Sequence, residues 1–143
     1  MTRKKSKNKH EEFPMFSRDL SWVEFNARVL EQGLNPDNAL LERLKFLAIV
    51  SSNFDEFFMV RMAGYKRMQA AGDERRCPAG CTPTEILEEA SARIQGLVAE
   101  QQRCYVEELR PSLAEAGLLL LDLDDYDEAQ KRAATEVFDR AVF

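Results

Sequence analysis

The feature that most constrains the fold is the segment from Asn38 to Ala70, in which apolar side chains recur every three or four residues. Because each residue of an α-helix advances about 100° around the axis, these spacings place the side chains on one side of a helix. The first apolar face consists of Leu40, Leu44, Leu47, Ser51, Phe54, Phe58, Met62 and Tyr65. Its register continues through the polar residues of SSNFDEFF, which predicts one continuous helix. The alternative is two helices, with Asn53 as the N-cap of the second and Glu56 as its third residue.

The same segment has a second apolar face, which consists of Phe46, Val50, Asn53, Phe57, Val60 and Gly64. A helix that is apolar on two faces is normally buried on both. A three-helix bundle has enough neighbours to cover only one of them well. We therefore expect the second face to meet a partner surface, either other domains of a longer protein or a second subunit.

Two further helices are predicted on either side of this segment. The first has a capping box formed by Ser21 and Glu24 and ends at Gly33. The later one begins with Thr82 as N-cap, Pro83 and Glu85, and closes near Gly117. Its apolar face consists of Leu87, Ala90, Ile94, Leu97, Gln101, Tyr105 and Leu109. The predicted fold class is all-α, an antiparallel three-helix bundle similar to a spectrin repeat.

The C-terminal part is predicted to be a short extended segment followed by a further helix. Residues 118–121 are four leucines, which predict a short strand or a buried extended segment, and Asp125 and Glu128 form the box of a fourth helix. The pattern is still helical at Phe143, so we expect this helix to lead into a missing domain. The predicted organisation is a disordered basic tail over 1–15, a helical domain over 16–117, and the extended segment with a truncated helix over 118–143.

Composition is that of a soluble globular protein, with 45% apolar and 31% charged residues. No apolar run reaches the length of about 18 residues that a membrane-spanning helix needs, and the amino terminus lacks the apolar region of a signal peptide. Three cysteines without an export signal indicate reduced thiols, and we expect a cytoplasmic protein. The basic tail is interpreted as a solvated segment, and the alternative is an adaptor that binds polyanions.

Asn53 is the candidate binding residue, because it is the polar member of the otherwise apolar second face. A carboxamide offers two donors and one acceptor oxygen, which match the mixed donor and acceptor edge of adenine. Phe46, Val50, Phe57 and Val60 would supply the flanking apolar surface. The structural alternative is an asparagine that bonds to a neighbouring backbone group.

Neither a metal site nor a catalytic site is predicted in this chain. Cys77 and Cys81 in CPAGC are too few for structural zinc and are interpreted as part of a loop, since the single histidine, His10, lies in the tail. The acidic DLDDYD has Asp127 where a calcium loop needs glycine. There is no phosphate-binding glycine loop and no nucleophile elbow. The chain alone is therefore predicted not to be a complete enzyme.

Two motifs, RDLSWVEFNARVL (18–30) and NALLERLKFLAIVSSNFDEFFMVRMAGYK (38–66), closely resemble the amino-terminal domain of bacterial polyphosphate kinase, the ATP:polyphosphate phosphotransferase. The resemblance implies an all-helical domain of an enzyme that reversibly transfers the terminal phosphate of ATP to polyphosphate, through a phosphohistidine and with Mg²⁺. The catalytic histidine and the magnesium ligands would lie outside this chain. The asparagine of the SSN-x-DEF motif contacts the nucleotide in the family, which implies that Asn53 binds ATP here.

The partners implied by the resemblance are ATP, polyphosphate and the remaining domains of the same enzyme. We expect the full-length form to be a homo-oligomer, and we expect no specific nucleic-acid partner. The alternative function is a helical docking or oligomerisation module that has no ligand contact of its own.

Overall fold

The computed structural model describes residues 15–142. These residues form two compact units, which are separated between Leu109 and Arg110. The described residues form helices, turns and loops and contain no strand, which confirms the all-α fold class. Residues 1–14 of the predicted basic tail, including His10, lie outside the described residues, and the predicted domain boundaries stay predictions.

Three long helical segments form the first unit. In chain order the elements are α1 (Arg18–Leu34), α2 (Leu40–Phe57), a π-helical turn (Phe58–Met62), α3 (Ala63–Ala70), α4 (Pro83–Cys104) and a second π-helical turn (Tyr105–Leu109). Helix α1 packs against α2 and α4, and α3 packs against α4. The antiparallel three-helix bundle similar to a spectrin repeat stays a prediction.

Residues 40–70 are helical throughout, so the predicted continuous helix is confirmed and Asn53 is not an N-cap. This helix ends at Ala70, as predicted. Gly72 has a φ of 67°. Its N–H donates to the carbonyl of Gln69, and the N–H of Asp73 donates to the carbonyl of Met68. These two bonds form a Schellman motif, which satisfies the last carbonyl groups of the helix.

The start of α1 differs from the prediction. Ser17, not Ser21, is the N-cap, and its side chain accepts a hydrogen bond from the backbone N–H of Leu20. Ser21 already lies inside the helix, because its own N–H bonds to the carbonyl of Ser17 at 2.9 Å. The box at Thr82 and Glu85 is confirmed, with both reciprocal hydrogen bonds formed.

The buried side of α2 in the first unit includes residues from both of the predicted apolar faces. The buried side chains of α2 include Leu47 and Phe54 from the first face and Val50 and Phe57 from the second. Against them pack residues of α1 and α4, including Val23, Ala27, Leu30, Leu87, Ala90, Ile94 and Leu97. The helix therefore has one buried face that draws on both predicted ones.

Two members of the first face do not belong to the core. Ser51 is exposed and accepts a hydrogen bond at 2.7 Å from Nε2 of Gln101. Phe58 is 42% exposed. The spacing wrongly assigned these two residues to the buried side. When a helix is apolar on two sides, spacing alone does not show which side is buried.

The π-helical turns keep the core continuous where the helices would otherwise rotate away from it. Successive buried positions lie five residues apart at Phe57 and Met62, and again at Cys104 and Leu109. A π-turn pairs residue i with residue i+5, so both members of such a pair point the same way. Met62 therefore reaches the core as predicted.

The second unit begins with α5 (Arg110–Glu115), so the helical segment that starts at Pro83 closes near Gly117, as predicted. Gly117 has a φ of 84°, and the N–H of Leu118 bonds to the carbonyl of Leu113 at 2.8 Å in a second Schellman motif. The leucines at 118–121 form neither a strand nor a buried segment, since all four are exposed. That prediction was wrong, because four leucines in a row fit several structures equally well.

A short 3₁₀ turn (Leu123–Asp125) precedes α6 (Glu128–Ala141). The predicted box of Asp125 and Glu128 was wrong by two residues. Asp127 is the N-cap, and it exchanges hydrogen bonds of 2.8 Å with Gln130. Within residues 15–142, the structure contains no helix long and apolar enough to span a membrane.

Candidate functional site

Asn53 lies half-buried on α2 and forms a side-chain hydrogen bond across the helix interface. Its Nδ2 donates to Oδ1 of Asn26 on α1 at 2.7 Å. Asn26 is fully buried and in turn donates from Nδ2 to the backbone carbonyl of Trp22 at 3.0 Å. The partner of Asn53 is therefore a buried side chain, and not the neighbouring backbone group that the structural alternative assumed.

Asn53 lines a cleft of about 360 Å³ between α1 and the helix of residues 40–70. The cleft combines aromatic, apolar and charged side chains, a mixture that is typical of small-molecule sites. Its other lining residues are Arg18, Asp19, Trp22, Phe25, Glu56, Phe57, Val60 and Arg61.

The predicted flanking surface is only partly present. Val60 lines the cleft and is exposed, but Val50 has no exposed surface and belongs to the core. Phe57 lies at the cleft and is 3% exposed, because its ring stacks on Trp22 with centroids 4.7 Å apart and planes 6° apart. Phe46 is half-buried and does not line the cleft. The expectation of a free apolar face at Val50 and Phe57 was therefore wrong, since both side chains belong to the buried core.

A buried carboxylate organises one wall of the cleft. Asp19 of α1 is 6% exposed, and it accepts hydrogen bonds from Nε of Arg61 at 2.8 Å and from the hydroxyl group of Tyr65. The guanidinium of Arg61 also forms an ion pair with this carboxylate at 2.7 Å. Burial, and then the hydrogen bond to Asp19, raise the pKa of Tyr65 to about 12. The network ties the start of α1 to the helix that carries Asn53.

The charges on the cleft wall nearly cancel. Arg18 and Arg61 contribute two positive charges, and Asp19 and Glu56 contribute two negative ones. A balanced wall does not concentrate a highly charged group. The cleft therefore suits a neutral, planar group better than a chain of phosphates.

Two larger clefts on the first unit do not include Asn53. The larger, about 880 Å³, is bordered by the ion pair of Arg93 with Glu24 at 2.6 Å. The other, about 420 Å³, is bordered by the loop that carries Cys77 and Cys81. We favour the smaller cleft as the candidate site, because Asn53, the predicted binding residue, lines it.

The CPAGC segment forms a loop, as predicted. The N–H of Cys77 bonds to the carbonyl of Cys81 at 2.9 Å, and Gly80 takes a φ of 79° in the turn between them. Among residues 15–142 there is no cluster of three or more histidine, cysteine, aspartate or glutamate side chains placed to hold a metal ion.

Comparison with known proteins identifies the family. A family model described as the polyphosphate kinase N-terminal domain matches residues 15–121. The chain belongs to this family. The matched range contains α1 to α5 and therefore the whole cleft around Asn53.

Individual polyphosphate kinases align over most of the chain. The polyphosphate kinase of Halalkalibacterium halodurans is 45% identical over 128 residues, which is 89% of this chain and 18% of that protein. That of Streptomyces coelicolor is 43% identical over 126 residues, covering 88% of this chain and 17% of the relative. That of Synechocystis is 41% identical over 128 residues, covering 90% and 18% respectively. The chain thus spans less than a fifth of the length of these polyphosphate kinases, and no solved structure matches it.

The sequence analysis singled out Asn53 but missed Asn26, which accepts a hydrogen bond from the Asn53 amide. The signal was present in α1, where Val23, Asn26, Ala27 and Leu30 follow helical spacing. A polar residue inside that buried series is as unusual as Asn53 in its own helix, since buried amides need partners. Comparing the two series would have suggested that the two asparagines pair.

Proposed function

We propose that this chain is the nucleotide-contacting domain of a polyphosphate kinase, in which Asn53 contacts the adenine of ATP. In this proposal the whole enzyme reversibly transfers the terminal phosphate of ATP to polyphosphate. The observation that carries it is the position of the Asn53 amide at a cleft with Trp22 and Val60 on its wall. Aromatic and aliphatic groups suit the faces of a base, and an amide suits its polar edge.

The charge balance of the cleft supports the adenine side of ATP over its phosphates. Two guanidinium groups and two carboxylates line the cleft, so little net positive charge is left for a triphosphate. Transfer of a phosphoryl group needs strong electrostatic stabilisation and metal ions. We therefore propose that the phosphohistidine, the Mg²⁺ ligands and the phosphate contacts come from parts of the enzyme beyond these 143 residues, and that this chain alone has no kinase activity.

The test is an NMR titration of the isotopically labelled 143-residue chain with ATP up to millimolar concentration. Binding at the proposed site shifts resonances around Asn53, Val60 and Trp22. In Asn53→Ala these shifts vanish, because the amide that contacts the base is gone. Shifts that are unchanged in Asn53→Ala, or that cluster at one of the two larger clefts, contradict the proposal.

The matched control is Asn26→Ala, because it removes the same hydrogen bond from the other side of the interface. Both variants lose the bond of 2.7 Å between the two amides, and both leave a polar group without its partner, which costs about 1–3 kcal/mol. Of these two asparagines, Asn53 lines the cleft and Asn26 does not. A direct contact to ATP therefore predicts measurable binding in Asn26→Ala and none in Asn53→Ala, whereas a purely structural role predicts equal loss.

A second candidate function, docking to a second copy of the chain, is favoured by a different observation. Phe58, Met59 and Val60 are consecutive residues that are 42%, 72% and 59% exposed. We propose Met59→Asp as the test, with Leu119→Asp, 69% exposed in the second unit, as the control. If this surface pairs two copies, sedimentation shows self-association that only Met59→Asp abolishes. A monomer at all concentrations refutes this candidate.

A further inference from the structure

The hydrogen bonds around Asn26 fix the orientation of its own side-chain amide and then that of Asn53. The carbonyl oxygen of Trp22 can only accept, so the group of Asn26 that faces it at 3.0 Å is the donor Nδ2. The other end of the Asn26 amide is then the acceptor Oδ1, and the group of Asn53 that meets it at 2.7 Å must be a donor. The backbone of α1 therefore determines which end of the Asn53 side chain points inward.

The outward end of Asn53 is its carbonyl oxygen. Nδ2 is directed toward the buried Asn26, and in a planar amide Oδ1 lies on the other side of the carbon that joins them. Oδ1 accepts no hydrogen bond from any described residue, yet no buried side-chain nitrogen or oxygen of residues 15–142 lacks a partner. Oδ1 is thus accessible, and the accessible space next to Asn53 is the cleft.

We infer that Asn26 is a positioning residue that makes Asn53 present an acceptor to the cleft, and that the site thereby selects purines with an amino group over purines with a keto group. The inference rests on the proposed function, since it takes the cleft to hold the base of a nucleotide. Adenine has a donor amino group at position 6, whereas guanine and hypoxanthine have an acceptor oxygen there. An acceptor that faces an acceptor gains no hydrogen bond and is repelled.

Rotation of the Asn53 amide would remove this selectivity, and Asn26 prevents it. A free carboxamide exchanges its donor and acceptor ends at little cost and can serve either purine. Rotation in this protein would place two carbonyl oxygens against each other inside the helix interface, where Asn26 has no exposed surface. An unmatched buried polar contact of this kind is costly. The locked orientation is the property that the second asparagine adds.

The experiment compares ATP with inosine triphosphate, whose purine has a keto oxygen in place of the 6-amino group and, with it, a hydrogen on N1. Dissociation constants for both are measured by NMR titration on the wild-type 143-residue chain and on Asn26→Leu, which has neither donor nor acceptor at that position. We expect ATP to bind about tenfold more tightly than inosine triphosphate to wild type, the effect of one hydrogen bond gained against one repulsive contact. In Asn26→Leu the ratio falls toward one.

The outcomes separate the inference from the proposed function. Equal binding of the two nucleotides to wild type, with both lost in Asn53→Ala, overturns the inference and leaves the nucleotide contact in place. Tighter binding of inosine triphosphate also overturns the inference, because an acceptor directed at position 6 cannot favour a keto oxygen there over an amino group. Binding of neither nucleotide, or binding that does not depend on Asn53, overturns both. The wild-type ratio needs no variant, so the result stands even if Asn26→Leu does not fold.

Discussion

Arg43 of α2 donates a hydrogen bond from Nε to the backbone carbonyl of Gly33 at 2.9 Å. The same guanidinium contacts the carbonyl of Leu34 at 3.4 Å and the carboxylate of Glu108 at 2.6 Å. The last carbonyl groups of a helix have no partner within it, so Arg43 caps the end of α1 from the next helix. The hydrogen bond that Arg43 donates to Glu108 raises the pKa of Arg43 further above its usual value, so this guanidinium stays charged.

We expect Arg43→Met to lower the free energy of unfolding by about 1.5–3 kcal/mol, since charged hydrogen bonds to buried acceptors are lost. Arg43→Lys should recover only part of this, because an ammonium group cannot reach several acceptors as a planar fork does. Urea denaturation measures both, with Arg103→Met as a control for an exposed arginine. Equal stability of Arg43→Met and Arg103→Met would show that the cap is unimportant.

The close approach of α1 and α2 at Gly33 predicts opposite effects for two glycine substitutions. A Cβ at Gly33 would lie 2.1 Å from Cδ1 of Leu47 and 3.2 Å from the carbonyl of Arg43. Gly33→Ala should therefore destabilise by about 1–3 kcal/mol through overpacking. Gly96 of α4 has nothing within 4 Å of such a Cβ, so Gly96→Ala should stabilise by about 0.5–1 kcal/mol. Thermal unfolding of the two variants checks this; shifts of the same sign would contradict it.

The part of the fold that could be predicted from sequence depends on interactions between near neighbours. The Thr82 box and the glycine ends of the helices involve groups within a few residues of one another, so local patterns identify them. The Arg43 cap joins residues ten positions apart, and the two asparagines are 27 apart. No local pattern contains such pairs, and they form only after α1 packs on α2.

The buried face of α2 shows a second limit of sequence patterns. Periodicity identified the helix correctly, but it could not decide which of two apolar faces the neighbouring helices cover. The π-turns add to this limit, because a spacing of five at Phe57 and Met62 breaks the pattern that a search for three and four expects. The candidate site was predicted at Asn53 for its chemistry, whereas the pairing with Asn26, 27 residues away, lies outside any single local pattern.

The contact between Tyr65 and Asp19 predicts a dependence of stability on alkaline pH. The pKa of Tyr65 is raised from 10.0 to about 12 in the folded protein, first by burial and then by the hydrogen bond to Asp19. Because the folded state holds this proton more tightly than the unfolded chain, the associated stability is complete below about pH 10 and is lost as the pH rises toward 12.

Tyr65→Phe should therefore be less stable than wild type at pH 7, by about 1 kcal/mol for one hydrogen bond. Between pH 10 and 12 the difference should shrink, since only wild type has this group to titrate. Urea denaturation at a series of pH values gives both quantities. Tyr105 and Tyr126 are present in both proteins and cancel in the difference. If the stability difference between wild type and Tyr65→Phe stays constant from pH 10 to 12, the raised pKa of Tyr65 is contradicted.

Alanine substitution should destabilise the protein much more at Phe57 than at the neighbouring Phe58, although sequence spacing placed Phe58 in the core and Phe57 on a partner surface. Phe57 is 3% exposed and stacks on Trp22, whereas Phe58 is 42% exposed. Phe57→Ala should cost about 3–5 kcal/mol, as for other buried aromatic residues. Under the proposed function it should also weaken ATP binding, because Phe57 lines the cleft beside Asn53. Phe58→Ala should change stability by less than about 1 kcal/mol. Urea denaturation ranks the two variants, and a larger loss for Phe58→Ala would mean that the buried face of α2 is the one that periodicity alone predicts.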